Sequence, residues 1–234
     1  MIDFYFFPTP NTWKVAIMLE ECDLPYRLLS VDITRDQQFD PQFLAISPNN
    51  KVPAIVDNDA PWGRQPVFES GAILMYLAEK TGRFLPESGP DRVAAMEWLF
   101  WQMGGLGPMA GQAHHFRRYA AEGNDYAVDR YTEECTRLYQ VMDRHLAGRD
   151  WFAGEYSIAD MACWGWVWFH PLHGQRLENF PRVARWFWSM SERPAVTRAK
   201  QAGLDRVGDD VRAMLEGPFY QKGANWAASE TRVR

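Results

Sequence analysis

The chain has 234 residues, 47% hydrophobic and 24% charged, with a net charge of -5. These values exclude a disordered, collagen-like or disulfide-stapled chain, and the length allows one large domain or two small ones around a real core. Without a cluster of Lys or Arg, the acidic balance leaves nucleic-acid binding short of the cations it needs.

The start Met1-Ile2-Asp3 has no basic region followed by an apolar run, so no secretory signal is expected. Ile2 to Phe7 predicts one buried strand. Pro8-Thr9-Pro10-Asn11 stops it, and Asn11 or Thr12 is placed to cap a helix. Val15, Met18, Leu19 and Cys22 keep helical spacing until Pro25. Tyr26 to Val31 reads as a second strand. Asp40-Pro41 combines an N-cap with proline at the first helical position, opening a short helix through Ile46. Pro48-Asn49-Asn50 is a turn, and Lys51 to Val56 a strand. Pro53 suits the end or edge of such a strand. Val67-Phe68 starts a short strand ending at Glu69-Ser70. Ile73, Leu74 and Leu77 mark the next helix, closed by Thr81-Gly82. This order predicts a parallel first pair, a closing hairpin and a four-stranded mixed sheet carrying helices.

Residues 83–90 read as a linker, with Pro86, Gly89 and Pro90. Helical patterns follow at 91–103, 108–120, 126–146, 158–169, 181–191 and 194–202. From Gly203 the chain turns polar, with a late Trp226, and reads as an extension. The expected division is therefore 1–82, a linker 83–90, a helical domain 91–202 and an extension 203–234. The longest uncharged stretch, Trp98 to Phe116, holds four glycines, Pro108, two Gln and two His. It is too polar for a lipid-facing helix, so a soluble cytoplasmic protein without membrane partners is expected.

Cys22, Cys135 and Cys163 form no C-x-x-C pair, and neither a metal cage nor a dithiol motif is visible. Cys22 and Cys163 read as buried apolar residues. Cys135 lies in a charged helix and is the candidate for a testable thiol. His114-His115 point to different helix faces and lack further ligands, so no metal is expected. Ser157-Ile158-Ala159-Asp160 is an S-x-x-D capping box before an apolar helix, a folding element.

Four features, in this order along the chain, resemble the cytosolic glutathione transferases. They are Pro8-Thr9-Pro10-Asn11-Thr12-Trp13-Lys14, Val52-Pro53, Phe68-Glu69-Ser70-Gly71-Ala72-Ile73-Leu74 and Ser157-Ile158-Ala159-Asp160. The resemblance implies an α/β thioredoxin-like N-terminal domain plus an all-α C-terminal domain. More narrowly, Thr9-Pro10-Asn11, Ser47-Pro48-Asn49-Asn50-Lys51, Glu69 to Leu77 and Trp98 to Met109 resemble the nu class. That bacterial group is related to the yeast nitrogen-regulator prion protein. Its members are glutathione-dependent disulfide-bond reductases with weak transferase activity, and they form homodimers.

From the residues alone, Thr9 and Asn11 read as turn and cap residues and Ser70 as an N-cap. The resemblance assigns Thr9 and Asn11 to the glutathione thiol, beside the N-terminus of the first helix, where a thiolate is favoured. It assigns Ser70 to the γ-glutamyl carboxylate, at a helix N-terminus suited to anions, and Glu69 to the ammonium. It implies a cis Val52-Pro53 bond, with Val52 pairing the cysteinyl backbone in a short β-addition; a trans edge proline is the alternative. Gln38, with Lys51 or Asn50, is implied near the glycyl end, though Lys51 reads equally as a solvated lysine. Arg130 is implied to reach glutathione from the other subunit, its alternative being an i,i+4 ion pair with Glu134. Tyr5 is one position off the slot used by tyrosine classes, which Phe6 occupies. Trp13 and the Trp98–Trp101 pair are candidates for the border of the site.

The implied chemistry is thiol–disulfide exchange by bound glutathione, without a protein cysteine. Weak transferase or peroxidase activity is expected beside it, and the competing readings are a transferase conjugating glutathione to electrophiles and a non-catalytic regulatory member of the fold.

Overall fold

A computed structural model describes residues 1–121, 123–206, 209 and 212. Strands β1 (Ile2–Phe6), β2 (Tyr26–Ser30), β3 (Ala54–Asp57) and β4 (Gln65–Phe68) form one sheet in the order β2-β1-β3-β4. Helix α1 (Pro10–Glu21) is the crossover that lets β1 and β2 run parallel. The other two pairs are antiparallel, and Ala54 lies opposite both Tyr5 and Phe68. That register puts the end of β1, the start of β3 and the end of β4 at one edge of the sheet.

The run Phe4-Tyr5-Phe6-Phe7 shows no polar alternation because both faces are covered. Ile2, Phe4, Phe6 and Ile55 join the core under α1 and α3 (Ser70–Thr81). Val31, Ala54 and Val56, with Tyr5 and Phe7, pack on the other face with Phe43 of α2 (Pro41–Leu44). Buried Asp57 ties α3 to β3, accepting from Tyr76 Oη at 2.6 Å, Lys80 Nζ at 2.7 Å and the Asp59 amide at 3.0 Å.

The cap of α1 differs from expectation. It is Thr9, in a reciprocal box with Thr12 at N3. Pro10 has the fixed φ that suits the first helical position, so the residue before it becomes the cap. Asn11 therefore lies inside the first turn. Smaller differences follow the same local logic. Strand β3 starts after Pro53, which cannot donate to the ladder, and α2 stops at Leu44.

The remaining helices are α4 (Gly89–Trp101), α5 (Gly107–Arg118), α6 (Asp125–His145), α7 (Ile158–Trp168), α8 (Pro181–Ser191) and α9 (Pro194–Leu204). The glycine-rich stretch was expected to separate two helices. Instead one wide π turn, Gln102–Leu106, joins α4 to α5 without a break. Gly104, Gly105 and Pro108 disturb the α register, and the extra residue of the turn absorbs the disturbance. Gly89 and Pro90, read as linker, are the first residues of α4.

Helix α7 is buried along its whole length, as expected of a helix apolar all round. Its Gly165 is required: a Cβ there would stand within 2.3 Å of the Pro10 carbonyl of α1. Gly203, read as the start of an extension, lies inside α9 for the same kind of reason. A Cβ on it would stand 2.3 Å from the Trp13 ring. Ion pairs Arg193–Glu21 at 2.6 Å and Arg198–Glu20 at 2.7 Å hold α9 against α1. The expectation for Trp226 lies outside the described residues. No described helix is long and apolar enough to cross a membrane.

Ser157 and Asp160 form the expected capping box. Asp160 does more than cap, because its carboxylate also accepts from the Phe152 amide at 3.2 Å and from Trp186 Nε1 of α8 at 2.8 Å. Burial pushes its pKa up to about 6, against these donors, which pull it down. Replacing Asp160 with Ala leaves buried donors without an acceptor. It should cost about 3 kcal/mol of stability in a denaturant titration. A loss below about 1 kcal/mol would show that the carboxylate is not a central tie.

Candidate functional site

The sheet edge defined by Tyr5, Ala54 and Phe68 carries three chain segments: the Pro8-Thr9 turn, Val52-Pro53 and Glu69-Ser70. The Val52-Pro53 bond is cis. The trans alternative is thereby excluded, and Val52 lies directly before β3.

The Thr9 hydroxyl donates to no carbonyl or carboxylate among the described residues. Thr12 Oγ1 donates to the Phe7 carbonyl at 2.5 Å or the Thr9 carbonyl at 2.9 Å, and accepts from the Thr9 amide at 3.0 Å. The Thr9 hydroxyl accepts weakly from the Thr12 amide at 3.4 Å and stands 3.2 Å from the Thr12 hydroxyl. Thr9 is thus the helix cap and a potential outward donor at once.

Asn11 is oriented by the helical half of the molecule. Trp166 Nε1 of α7 donates to Asn11 Oδ1 at 3.0 Å. An indole can only donate, so the amide oxygen must face it. The Asn11 Nδ2 group is then directed away from Trp166, with no hydrogen-bond partner among the described residues. Sequence reading found Asn11 but missed Trp166, because nothing in the chain order links positions 155 residues apart.

Ser70 is not an N-cap. It is the first residue of α3, buried, with Glu69 in the cap position. The first intrahelical bond is Ile73 N–H to the Glu69 carbonyl, which leaves the amides of Ser70, Gly71 and Ala72 at a free helix head. Glu69 has φ 70° and ψ 116°. This is a sparsely populated conformation for a residue with a side chain, costing on the order of 1–3 kcal/mol. It turns the chain sharply from β4 into α3 and leaves the Glu69 side chain exposed, where Asn49 Nδ2 donates to it at 3.4 Å.

Lys14 belongs to the first motif, where the sequence alone points to no role for it. It is fully buried, and its Nζ donates to Ser70 Oγ at 3.2 Å, Gln102 Oε1 at 2.5 Å and Met103 Sδ at 3.4 Å. Desolvation lowers its pKa to about 7, while Cys163 and Glu69 pull it upward. One signal was legible: Lys14 precedes Met18 by four residues and so lies on the apolar stripe of α1.

The other expected residues are less convergent. Gln38 lies in the single turn Gln37–Phe39, its Oε1 buried without a partner. Lys51 is exposed next to Val52. Arg130 is exposed on α6; Glu134 makes its close ion pair with Arg137 at 2.7 Å, and Arg130 acts on it as a further charge. Trp13 does not border the site; it is buried between Phe6 and Trp168. Trp98 packs on His145 and Phe152 within the helical core. Burial pushes His114 down to about 4, and it stacks on Tyr119. Among the described residues, no three His, Cys, Asp or Glu side chains stand ready to hold a metal.

Cys135 is fully buried despite its charged neighbours in sequence, because it takes the inner face of α6. Burial pushes its thiol up to about 12. Cys163 is buried and shifted well upward for the same reason. Cys22 is only half-buried, its thiol also raised by desolvation.

Fold and site together define the class. Residues 1–79 match the glutathione S-transferase N-terminal domain and residues 106–194 the glutathione S-transferase C-terminal domain. The chain belongs to the glutathione S-transferase family. It is 51% identical over 202 residues to disulfide-bond oxidoreductase YfcG of Escherichia coli K12, covering 85% of this chain and 94% of that protein. A family member from Pseudomonas fluorescens pf-5, solved with two glutathione bound, superposes with a TM-score of 0.80 at 43% identity, covering 85% of this chain and 91% of that one. A glutathione transferase from Pseudomonas putida, with one glutathione disulfide per subunit, gives 0.80 at 44% identity, covering 85% and 90%.

The thiol geometry has a direct check. In the native protein an aromatic disulfide reagent at neutral pH should leave Cys135 and Cys163 unmodified, and both should react after unfolding. Rapid native labelling at Cys135 would contradict its burial.

Proposed function

We propose that this protein is a glutathione-dependent disulfide-bond oxidoreductase of the nu class that uses no cysteine of its own. The observation that carries this reading is the Asn11–Trp166 hydrogen bond. It fixes an amide donor at the head of α1, beside the Thr9 hydroxyl, with no thiol side chain at either position. Glutathione lies along the sheet edge. Its γ-glutamyl carboxylate meets Ser70 and the head of α3, its ammonium meets Glu69, and its cysteinyl backbone pairs with Val52 before Pro53. Gln38 and Lys51 face the glycyl end. The thioredoxin-like unit is 1–82, joined through 83–88 to a helical unit that begins with α4 at Gly89 and ends with α9 at Leu204.

The glutathione thiolate, held by Thr9, Asn11 and the α1 dipole, attacks one sulfur of a disulfide. A new S–S bond joins glutathione to half of the substrate, and the other half leaves as a thiolate that takes a proton. A second glutathione thiolate attacks the glutathione sulfur of this mixed disulfide. It releases the remaining thiol and glutathione disulfide, so two glutathiones supply two electrons. Burial of Cys135 and Cys163, and the partial burial of Cys22, disfavour their thiolates and support an exchange carried by glutathione alone.

Steady-state turnover of a small dialkyl disulfide with glutathione, read through NADPH oxidation by glutathione reductase, tests the proposal. Asn11→Ala should lower kcat about tenfold or more with glutathione KM little changed. A variant with all three cysteines replaced by Ala should keep turnover. Loss of activity in that variant, still folded, would overturn the cysteine-free route. Strong conjugation of an aryl chloride with no disulfide turnover would favour an ordinary transferase.

A homodimer completes the reading. Val93, Met96 and Phe100 line a groove on α4 beside Arg92 and Glu97, and Val93 and Phe100 are 56% and 59% exposed. Such an i, i+3, i+7 apolar face needs a cover, and Arg130 then serves the other subunit. Phe100→Glu should halve the mass seen by sedimentation. An unchanged dimer would move the interface elsewhere.

A further inference from the structure

The buried lysine has no carboxylate partner. Its three donors meet a hydroxyl, an amide oxygen and a thioether, all neutral. A cation taken out of water without an anion is costly, and the protein carries that cost directly behind the free head of α3. The ionisable groups whose charges act on it are Cys163 of α7 and Glu69 at the head of α3. Cys163 is itself shifted well upward, so it is neutral near pH 7. Gln102 and Met103 come from the π turn and Ser70 from α3, none of them charged. The charge, offset at a distance by Glu69 but with no anion in direct contact, thus faces the place where a carboxylate anion is to bind.

The protonation state of Lys14 also sets the direction of the Ser70 hydroxyl. An ammonium has only protons to offer, so it donates to Ser70 Oγ and leaves the Ser70 proton for another acceptor. Within the protein that acceptor is Met103 Sδ at 3.6 Å, a long and weak contact. A neutral amine has a lone pair and can take the Ser70 proton itself. The hydroxyl would then have no proton for a ligand.

We infer that Lys14 is a positioning residue for glutathione: its ammonium is the buried counter-charge of the γ-glutamyl carboxylate, and by donating to Ser70 Oγ it aims the Ser70 hydroxyl proton at that carboxylate. This rests on the assignment of Ser70 to the γ-glutamyl group. Binding of the anion stabilises the ammonium, so binding takes up protons once the solution pH exceeds the pKa of the free protein. Affinity is full below that pKa and falls as pH rises through it, by up to about tenfold per unit.

Calorimetric titration with S-methylglutathione tests this, since the methylated sulfur carries no thiol proton. The wild-type protein should lose about tenfold or more in affinity from about pH 6 to about pH 8.5, and should take up protons in buffers of different ionisation heat. Lys14→Met should bind weakly at the low end of that range and show a nearly flat profile. The ligand amine titrates alike with both proteins, so the difference between the profiles belongs to Lys14. The ligand-free Lys14→Met protein should be at least as heat-stable as wild type, because a buried unpaired charge has been removed. Gln102→Glu supplies a carboxylate from within, and should flatten the profile without removing the lysine. A wild-type profile that parallels Lys14→Met, with binding intact, would overturn the inference and leave the Ser70 assignment standing. No binding at any pH would overturn both.

Discussion

The closeness of α7 to α1 is the constraint on which the site depends. Gly165 lets the Pro10 carbonyl approach to a distance no Cβ would allow. Only at that spacing can the indole of the next residue, Trp166, reach Asn11 Oδ1. The helical half is therefore more than a support for the sheet. It selects which end of the Asn11 amide faces Trp166 and which is left for a ligand, and through the π turn it also supplies Gln102 and Met103 to Lys14. The hydrogen bonds that fix the side chains of α1 come from three directions: the Thr9–Thr12 box from within, α7 from one side and the α4–α5 helix from another.

Most of the fold was legible in the sequence because local signals and tertiary demands agree. Pro10, Pro41, Pro181 and Pro194 each open a helix at a position proline favours. The mixed sheet followed from element order alone. What sequence reading missed lies where one residue serves two levels. Gly203 carries a stop signal, yet it sits inside α9 because Trp13 occupies the space a side chain would need. Cys135 stands among charged residues along the chain, but those neighbours occupy the outer face of α6. The glycine-rich run after Trp101 reads as a break, and only the burial of Gln102 and Leu106 shows why the chain continues as a helix.

The site was legible in its outline and less so in its electrostatics. Thr9, Asn11, Val52, Pro53, Glu69 and Ser70 gather at one sheet edge because the register of β1, β3 and β4 brings their ends together. Lys14 was hidden by its type, since a lysine on a helix is ordinarily solvated. Its stripe position next to Met18 was the available clue. Trp166 was hidden by separation, for a single tryptophan among several in α7 carries no label saying which one points at α1.

The π turn carries a consequence for how this chain can change. Glycine-rich connections usually tolerate gain or loss of a residue, because nothing downstream depends on their length. Here the turn is a helix with one residue more than the α register needs. Deleting one residue would restore that register and swing α5 by about 100° around the axis of α4. The groove face of α4, the ligands of Lys14 and the packing of α5 would then no longer face their partners together. The Gln-Met-Gly-Gly-Leu segment behaves as a phase-setting element: substitutions within it are local events, while a change in its length is felt by the whole helical half.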